Sequence, residues 1–318
     1  MFFCVCMSNL LSIVIPAYNE KKNIPLVYRE VTLTFKNLPD YSCELLFVDD
    51  GSNDGTDEVL RDLGERDSSV KYLSFSRNFG KEIAISAGLH HVAGKAAIVM
   101  DADLQHPPAF IPEFISKWEA GAEVIIGLRR KNENEGLIKR YGSILFYKIM
   151  NQIGEMPSIP GTTDFRLIDR KVIDVFCQLT ERNRMTRGLI DWLGFRQAFV
   201  HFDAPARING EAGYSYRKLL RLALHSFVSH SLFPLRLAGY LGGFITIIAA
   251  LTGLYVVIEK YVLNDPWHLL FSGTAILALL ILFLVGIILS CFGLVALYIA
   301  NIHNEVLNRP LYIISEKN

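Results

Sequence analysis

At 318 residues, 51% of them hydrophobic, the chain has room for one large domain or two ordinary ones, and its apolar share is high for a fully soluble protein. Lysine plus arginine and aspartate plus glutamate both number 32, so neither net charge nor a long basic run points to nucleic acid. Five scattered cysteines, Cys4, Cys6, Cys43, Cys177 and Cys291, argue against a disulfide framework or a zinc site and suit a reducing cytoplasm. The apolar leader around Cys4 and Cys6 is too short for a signal peptide and reads as a frayed end.

Leu11 to Ile15 is a strand-like run stopped by Pro16, and Asn19-Glu20-Lys21-Lys22-Asn23 begins a helical pattern through Val27 and Val31. A second run, Glu44 to Val48, ends in Asp49-Asp50-Gly51-Ser52-Asn53-Asp54-Gly55-Thr56, where the glycines permit tight turns and Thr56 is the expected cap of the next helix. The third strand is expected at Val70 to Phe75, followed by Ser76-Arg77-Asn78-Phe79-Gly80-Lys81 and a helix through Ala84, Ala87 and His91. Ala96 to Met100 is the fourth, and Glu123 to Leu128, ending in Arg129-Arg130, the fifth. This alternation predicts an α/β fold with a mainly parallel sheet and helices on both faces.

After the fourth strand comes Asp101-Ala102-Asp103-Leu104-Gln105. The carboxyl end of a parallel strand opens into the crevice where such sheets bind ligands. Two hard anions on one short turn suit Mg²⁺ or Mn²⁺, whose remaining ligands are typically phosphate oxygens, so a nucleotide diphosphate is the natural guest. A lone D-x-D also describes an ordinary solvated loop. Here three further loops at strand carboxyl ends converge with it, carrying Tyr18-Asn19-Glu20, Asp49-Asp50 and Arg129-Arg130.

In order, Val14-Ile15-Pro16-Ala17-Tyr18-Asn19-Glu20, Val48-Asp49-Asp50-Gly51-Ser52 and Asp101-Ala102-Asp103-Leu104-Gln105 resemble the successive motifs of family-2 glycosyltransferases. The resemblance implies a GT-A nucleotide-sugar-binding fold. In it Pro16, Tyr18, Asn19, Glu20, Asp49, Asp50, Lys81 and Asp101 serve the donor, and Asp101, Asp103 and Gln105 hold the metal. Gly161-Thr162-Thr163-Asp164-Phe165-Arg166-Leu167, read as a loop returning to the sheet, resembles the G-x-x-D-F-R-L element of the polyisoprenyl-phosphate glycosyltransferases. By that resemblance Asp164 lies near the reacting sugar carbon as base or orienter, with Asp103 its partner in catalysis, and Arg129, Arg140 and Ser143 match residues that hold the lipid phosphate. The plainer alternative has Asp164 capping a turn and pairing with Arg166, and Arg140 as a solvated helix charge. Arg207-Ile208-Asn209-Gly210-Glu211-Ala212-Gly213-Tyr214 departs from the group's R-x-x-G-x-S-K-Y stretch at Ala212 and Gly213, so only Arg207 carries over, with Arg217 or Lys218 as substitutes for the missing lysine.

From Tyr214 the chain changes character. Arg217, Arg221 and His225 fall on one side of a helix and Leu220, Ala223, Leu224 and Phe227 on another, the layout of a helix in a membrane interface or packed on the sheet. Leu237 to Ile258 and Leu269 to Ala300 carry no charged residue and are long enough to cross a bilayer. Arg217, Lys218, Arg221 and Arg236 precede the first stretch and Arg309 and Lys317 follow the second, whereas the intervening loop has one lysine; positive-inside logic puts both ends in the cytoplasm. The expected organisation is a cytoplasmic GT-A domain over 1–213, juxtamembrane helices over 214–235, two spans within 236–301 and a cytoplasmic tail over 302–318, in which 305–312 forms a short strand or clamp.

The function expected is inverting transfer of a sugar from a nucleotide sugar, UDP-glucose or UDP-N-acetylglucosamine, to a polyisoprenyl phosphate at the cytoplasmic membrane, for cell-envelope glycan modification. A processive polysaccharide synthase would carry a Q-x-x-R-W element, and Arg187-Gly188-Leu189-Ile190-Asp191-Trp192 has the wrong spacing. The other alternative is a non-catalytic nucleotide-binding membrane scaffold. Gly239, Gly242 and Gly243 would let helices pack closely in a homo-oligomer.

Overall fold

The computed structural model describes residues 9–129, 161–182, 184–203, 251, 258, 273–307 and 309–318. Alternating strand and helix patterns lay down β1 (Asn9–Ala17), α1 (Ile24–Lys36), β2 (Tyr41–Asp49), α2 (Thr56–Arg66), β3 (Val70–Phe75), α3 (Lys81–His91), β4 (Ala96–Val99), α4 (Ile111–Glu119) and β5 (Val124–Arg129). Then follow β6 (Thr162–Asp169), α5 (Arg170–Gln178), α6 (Thr186–Trp192), β7 (Gln197–Phe202), α7 (Gly273–Val306) and β8 (Ile314–Lys317). Two units emerge: 1–151 with 156–213 and 309–318, and 152–155 with 214–308.

The first unit is built on one sheet of order β7-β5-β6-β4-β1-β2-β3-β8. β4, β1, β2 and β3 run parallel, so the near-continuous apolar runs of these strands are buried on both faces. Ile24, Val27, Val31 and Phe35 of α1, Leu60 of α2 and Ile111, Phe114 and Ile115 of α4 fill one face; α3, α5 and α6 fill the other. α3 lies close on β1 because Gly88 faces Val14, where a Cβ would collide. The chain winds from β1 through β2 to β3, then returns to lay β4 on the opposite flank of β1. This is the topological switch point at which parallel α/β sheets open a crevice.

Several boundaries differ from the sequence reading. β1 continues through Pro16 to Ala17. Val14 O accepts from Met100 N and Ala17 O from Asp50 N, so by ladder alternation Pro16 faces the β4 side, past the last Val14–Val99 pair, and its missing N–H sacrifices no bond. α1 begins at Ile24, after a turn in which Glu20 O takes the amides of Asn23 and Ile24. Thr56 is the first residue of α2 rather than its cap; Asp54 Oδ1 accepts from Thr56 N at 3.0 Å. The largest correction concerns 161–169. The expected loop is strand β6, inserted antiparallel between β4 and β5, so the sheet is mixed at this flank.

β7 and β8, unread in the sequence, form the two edges. The tail is helical to Val306 and pairs at Ile314–Lys317 with β3, downstream of the expected 305–312 clamp. Glu316 takes both the Arg61 guanidinium, at 2.9 and 2.6 Å, and the Tyr72 hydroxyl, at 2.8 Å.

In the second unit α7 is 34 residues long. Counting only the described residues, no helix is long and apolar enough to cross a membrane. Many α7 side chains, all of 214–235, and the first expected span apart from Leu251 and Ile258 lie outside the described residues.

Among the described residues Arg166 is the largest fully buried side chain, 2% exposed, and Asp191 of α6 grips it at two points, 2.7 and 3.3 Å. This replaces the Asp164–Arg166 pairing weighed above. Asp191→Ala would strand a buried guanidinium, for which we expect a loss of about 3–5 kcal/mol in chemical denaturation of the full chain. A loss below about 1 kcal/mol would mean the pair does not hold α6 on the sheet.

Candidate functional site

The loops after β1 and β2 are stitched together by short polar side chains. Asn19 N donates to Ser52 Oγ at 2.9 Å, Asn53 N to Asn19 Oδ1 at 3.0 Å, Glu20 N to Thr56 Oγ1 at 3.0 Å and Lys21 N to Asp54 Oδ2 at 3.2 Å. Asn19 sits in the left-handed region at φ 57°, which asparagine tolerates. The result is a braced rim from which Tyr18 projects, 46% exposed, while Pro16 stays in the strand. Asp49 and Asp50 are buried, and burial pushes both carboxyls above the usual range. Asp49 takes Ser52 N, and the two oxygens of Asp50 accept from the amides of Phe79 and Gly80 at 2.6 and 2.9 Å. Asp50 thus fixes the loop that delivers Lys81.

β4 and β6 decide the centre. Their antiparallel register pairs Val99 with Arg166 and Ala96 with Asp169; continued two residues past Val99, it sets Asp101 opposite Asp164. Alternation aims both carboxylates at the α3 face, where Lys81, the first residue of α3, closes on them. Its Nζ lies 2.6 Å from Asp101 Oδ1 and 2.8 Å from Asp164 Oδ2, and Arg187 Nε of α6 lies 3.2 Å from Asp164 Oδ1. Burial alone would raise the Asp164 carboxyl, but the Lys81 and Arg187 charges outweigh it and hold it below the usual aspartate value. For Lys81 burial opposes the ammonium, and the two carboxylates overcome this and raise its pKa.

On the other side of the turn, His106 is 5% exposed and stacks on Phe165 at 5.2 Å and 9°. Its Nδ1 accepts from Asp101 N at 3.0 Å, so the proton of the neutral ring is on Nε2. Burial lowers its pKa, with the Asp101 charge only partly offsetting. Leu104 is left-handed, φ 59°, a conformation that costs a non-glycine residue about 1–3 kcal/mol. Asp103 Oδ1 accepts from Gln105 N at 3.1 Å, which folds the turn back on itself.

Among the described residues no three His, Cys, Asp or Glu side chains gather as a metal-ligand group. The donor set nonetheless fits a hard dication. Asp101 Oδ1 is buried without a hydrogen-bond partner and faces the Lys81 ammonium, and Asp103 and Gln105 offer further hard oxygens. Mg²⁺ and Mn²⁺ need only one or two protein carboxylates when a diphosphate completes the shell.

Of the residues singled out in the sequence, the structure brings together Lys81, Asp101 and Asp164, puts Asp103 and Gln105 on the same turn, and sets Arg129 at the end of β5, where its N bonds Gly161 O. Arg140, Ser143 and Arg207 lie outside the described residues. Sequence reasoning missed Arg187 and His106. His106 stood inside the D-x-D stretch, before two prolines; Arg187 carried no local signal, since only the fold of α6 brings it to Asp164.

His106 is neutral in the folded protein and gains a proton more readily when unfolded. Its contribution to stability is therefore intact above the unfolded pKa of about 6.5 and falls as pH drops below that value. We expect a larger melting-temperature drop between pH 7.5 and 5.5 in the unmodified chain than in His106→Phe; equal drops would mean that His106 is not buried neutral.

The chain matches the glycosyl transferase family 2 profile over residues 12–176. It is 38% identical over 308 residues to the SfII prophage-derived bactoprenol glucosyl transferase of Shigella flexneri, covering 97% of this chain and 98% of that protein. The prophage bactoprenol glucosyl transferase homolog of Escherichia coli K12 is 36% identical over 304 residues, covering 96% and 98%. Among solved structures, mannosyl-3-phosphoglycerate synthase from Rubrobacter xylanophilus aligns with a TM-score of 0.45 and 18% identity over 67% of this chain and 70% of that one. The profile match and the near end-to-end relatives establish that the chain belongs to glycosyltransferase family 2, with its GT-A α/β architecture.

Proposed function

We propose that this glycosyltransferase moves a sugar, with inversion, from a nucleotide sugar to a polyisoprenyl phosphate at the cytoplasmic face of the membrane. The single observation that carries the reading is the paired Asp101 and Asp164, set opposite each other at the switch-point crevice and bridged by Lys81. Relatives named bactoprenol glucosyl transferase support a lipid-phosphate acceptor and a glucose donor such as UDP-glucose, with UDP-N-acetylglucosamine the alternative.

The rim of Pro16, Tyr18, Asn19, Glu20, Asp49 and Asp50 binds the nucleoside, and Lys81 the diphosphate. Asp101, Asp103 and Gln105 would hold Mg²⁺ or Mn²⁺, which would supply stabilisation of the charge on the departing diphosphate. Arg129, Arg140, Ser143 and Arg207 grip the acceptor phosphate, arginine being suited by its planar fork. The acceptor oxygen is already anionic near neutral pH, so alignment matters more than deprotonation. Asp164, held ionised by two cations, orients Lys81 and Arg187 rather than taking a proton. The acceptor oxygen attacks the anomeric carbon opposite the diphosphate, and the configuration inverts.

The uncharged stretch Leu269 to Ala300, long enough by residue count to cross a bilayer, and the bactoprenol relatives support membrane association. Leu237 to Ile258 is proposed as its partner span, giving a catalytic unit over 1–213 tethered at the bilayer, in a homo-oligomer whose helices pack on Gly239, Gly242 and Gly243.

The test is radiolabel transfer by purified full chain, with undecaprenyl phosphate, Mn²⁺ or Mg²⁺ and a panel of nucleotide sugars, reading the organic phase. We expect one donor to label the lipid, chelation to stop it, and Asp103→Ala to abolish transfer with membrane insertion intact. Undiminished transfer by that variant would remove the metal role, and no lipid label from any donor would sink the acceptor assignment.

A further inference from the structure

Building on the donor and metal reading above, we propose that Lys81 is the resident counter-ion of Asp101 and yields that oxygen only to a metal arriving with its nucleoside diphosphate, so that metal and nucleotide bind as a coupled pair.

The argument starts from one atom. Asp101 Oδ1 is a buried oxygen without a hydrogen-bond partner, and it is also the oxygen that Lys81 Nζ approaches to 2.6 Å. A dication ligated there at about 2.0–2.2 Å would stand within about 5 Å of the ammonium, where like charges repel strongly. The four charges in contact, Asp101 and Asp164 against Lys81 and Arg187, already balance, which leaves only the Asp103 carboxylate on the same turn to set against the two charges of a dication. A bare dication adds uncompensated positive charge to this set; a dication carrying a diphosphate does not, and the phosphate oxygens give the ammonium somewhere to go.

Lys81 has the freedom for that exchange. Its side chain is 44% exposed, and it leaves the backbone at the first residue of α3, after Gly80 at φ 102°. Asp164 need not be left bare when Lys81 swings away, because Arg187 Nε stays 3.2 Å from its other oxygen. Arg187 Nε and Asp164 Oδ1 are both buried without hydrogen-bond geometry, so a small rotation would turn their contact into a bond as Lys81 departs. The device orders binding: carboxylates that would attract free metal are kept occupied until the donor supplies a replacement for their counter-ion.

The experiment measures Mn²⁺ affinity of the full chain in detergent by electron paramagnetic resonance, with and without UDP and, in parallel, GDP. In the unmodified chain we expect one nucleotide to tighten Mn²⁺ binding at least about fivefold, the low end for coupled sites. Lys81→Gln should bind Mn²⁺ alone at least about fivefold tighter than the unmodified chain and lose most of the nucleotide gain. Lys81→Arg, which keeps the charge, should behave like the unmodified chain, and Asp101→Asn should lose Mn²⁺ in every condition. Equal Mn²⁺ affinity with and without nucleotide overturns the proposal on the unmodified protein alone, independently of how any variant folds; a Lys81→Gln chain that binds Mn²⁺ no tighter also overturns it. If Mn²⁺ binds and Asp101→Asn abolishes it but coupling is absent, only the role of Lys81 falls. If neither Mn²⁺ nor either nucleotide binds, the donor reading falls and takes this proposal with it.

Discussion

Two carboxylates set opposite each other on adjacent strands cannot both stay ionised in a half-buried crevice without a cation between them. That constraint governs the site. The β4–β6 register creates the Asp101–Asp164 juxtaposition, and Lys81 neutralises it at 2.6 and 2.8 Å. Much of the surrounding structure serves to keep Lys81 and Arg187 in reach. Asp50 holds the amides just before α3, and Glu82 Oε2, one residue after Lys81, accepts from Thr186 N at the start of α6. The Arg166–Asp191 pair fastens the other end of α6 to β6. Two cations from separate helices are thus delivered to one aspartate by polar contacts that are themselves partly buried.

The edges of the sheet are managed by the same economy. β3 would otherwise offer an open row of amides and carbonyls, a template for self-association. β8 covers it, with Tyr312 stacked on Phe75 at 5.2 Å and Ser76 N bonded to Ile313 O. This last bond lies where β3 enters the 76–80 loop, so the C-terminal residues brace the segment that leads to Lys81. Alternating charge along Ser315-Glu316-Lys317 leaves the new edge unattractive to further strands.

Much of the fold was legible because it rests on local pattern. Apolar runs of four to six residues ending in polar, glycine-bearing turns mark parallel strands, and the run Val70–Phe75 was read to the residue. The D-x-D turn, the Asp49-Asp50 loop and the Tyr18-Asn19-Glu20 rim announced themselves by falling at strand ends. Pro16 misled because proline signals a strand end unless its missing donor faces an unpaired flank, and that flank is known only once β4 is paired. β6 misled because Thr162-Thr163-Asp164 opens with polar residues, which resemble a loop until β4 and β5 close on either side.

From residue order alone followed the α/β class, the strand-end loops that carry the acids, the apolar character of the second half and the family. These depend on periodicity and turn chemistry, which act over a few residues. Tertiary structure alone decided that Asp101 faces Asp164, that Lys81 bridges them, that Arg187 backs Asp164, that His106 accepts from the Asp101 amide in the D-x-D turn and that Arg166 belongs to Asp191. These contacts join residues from 5 to 83 positions apart, all but the shortest by way of strand register or helix docking. Register is a property of paired strands, and no single strand carries it.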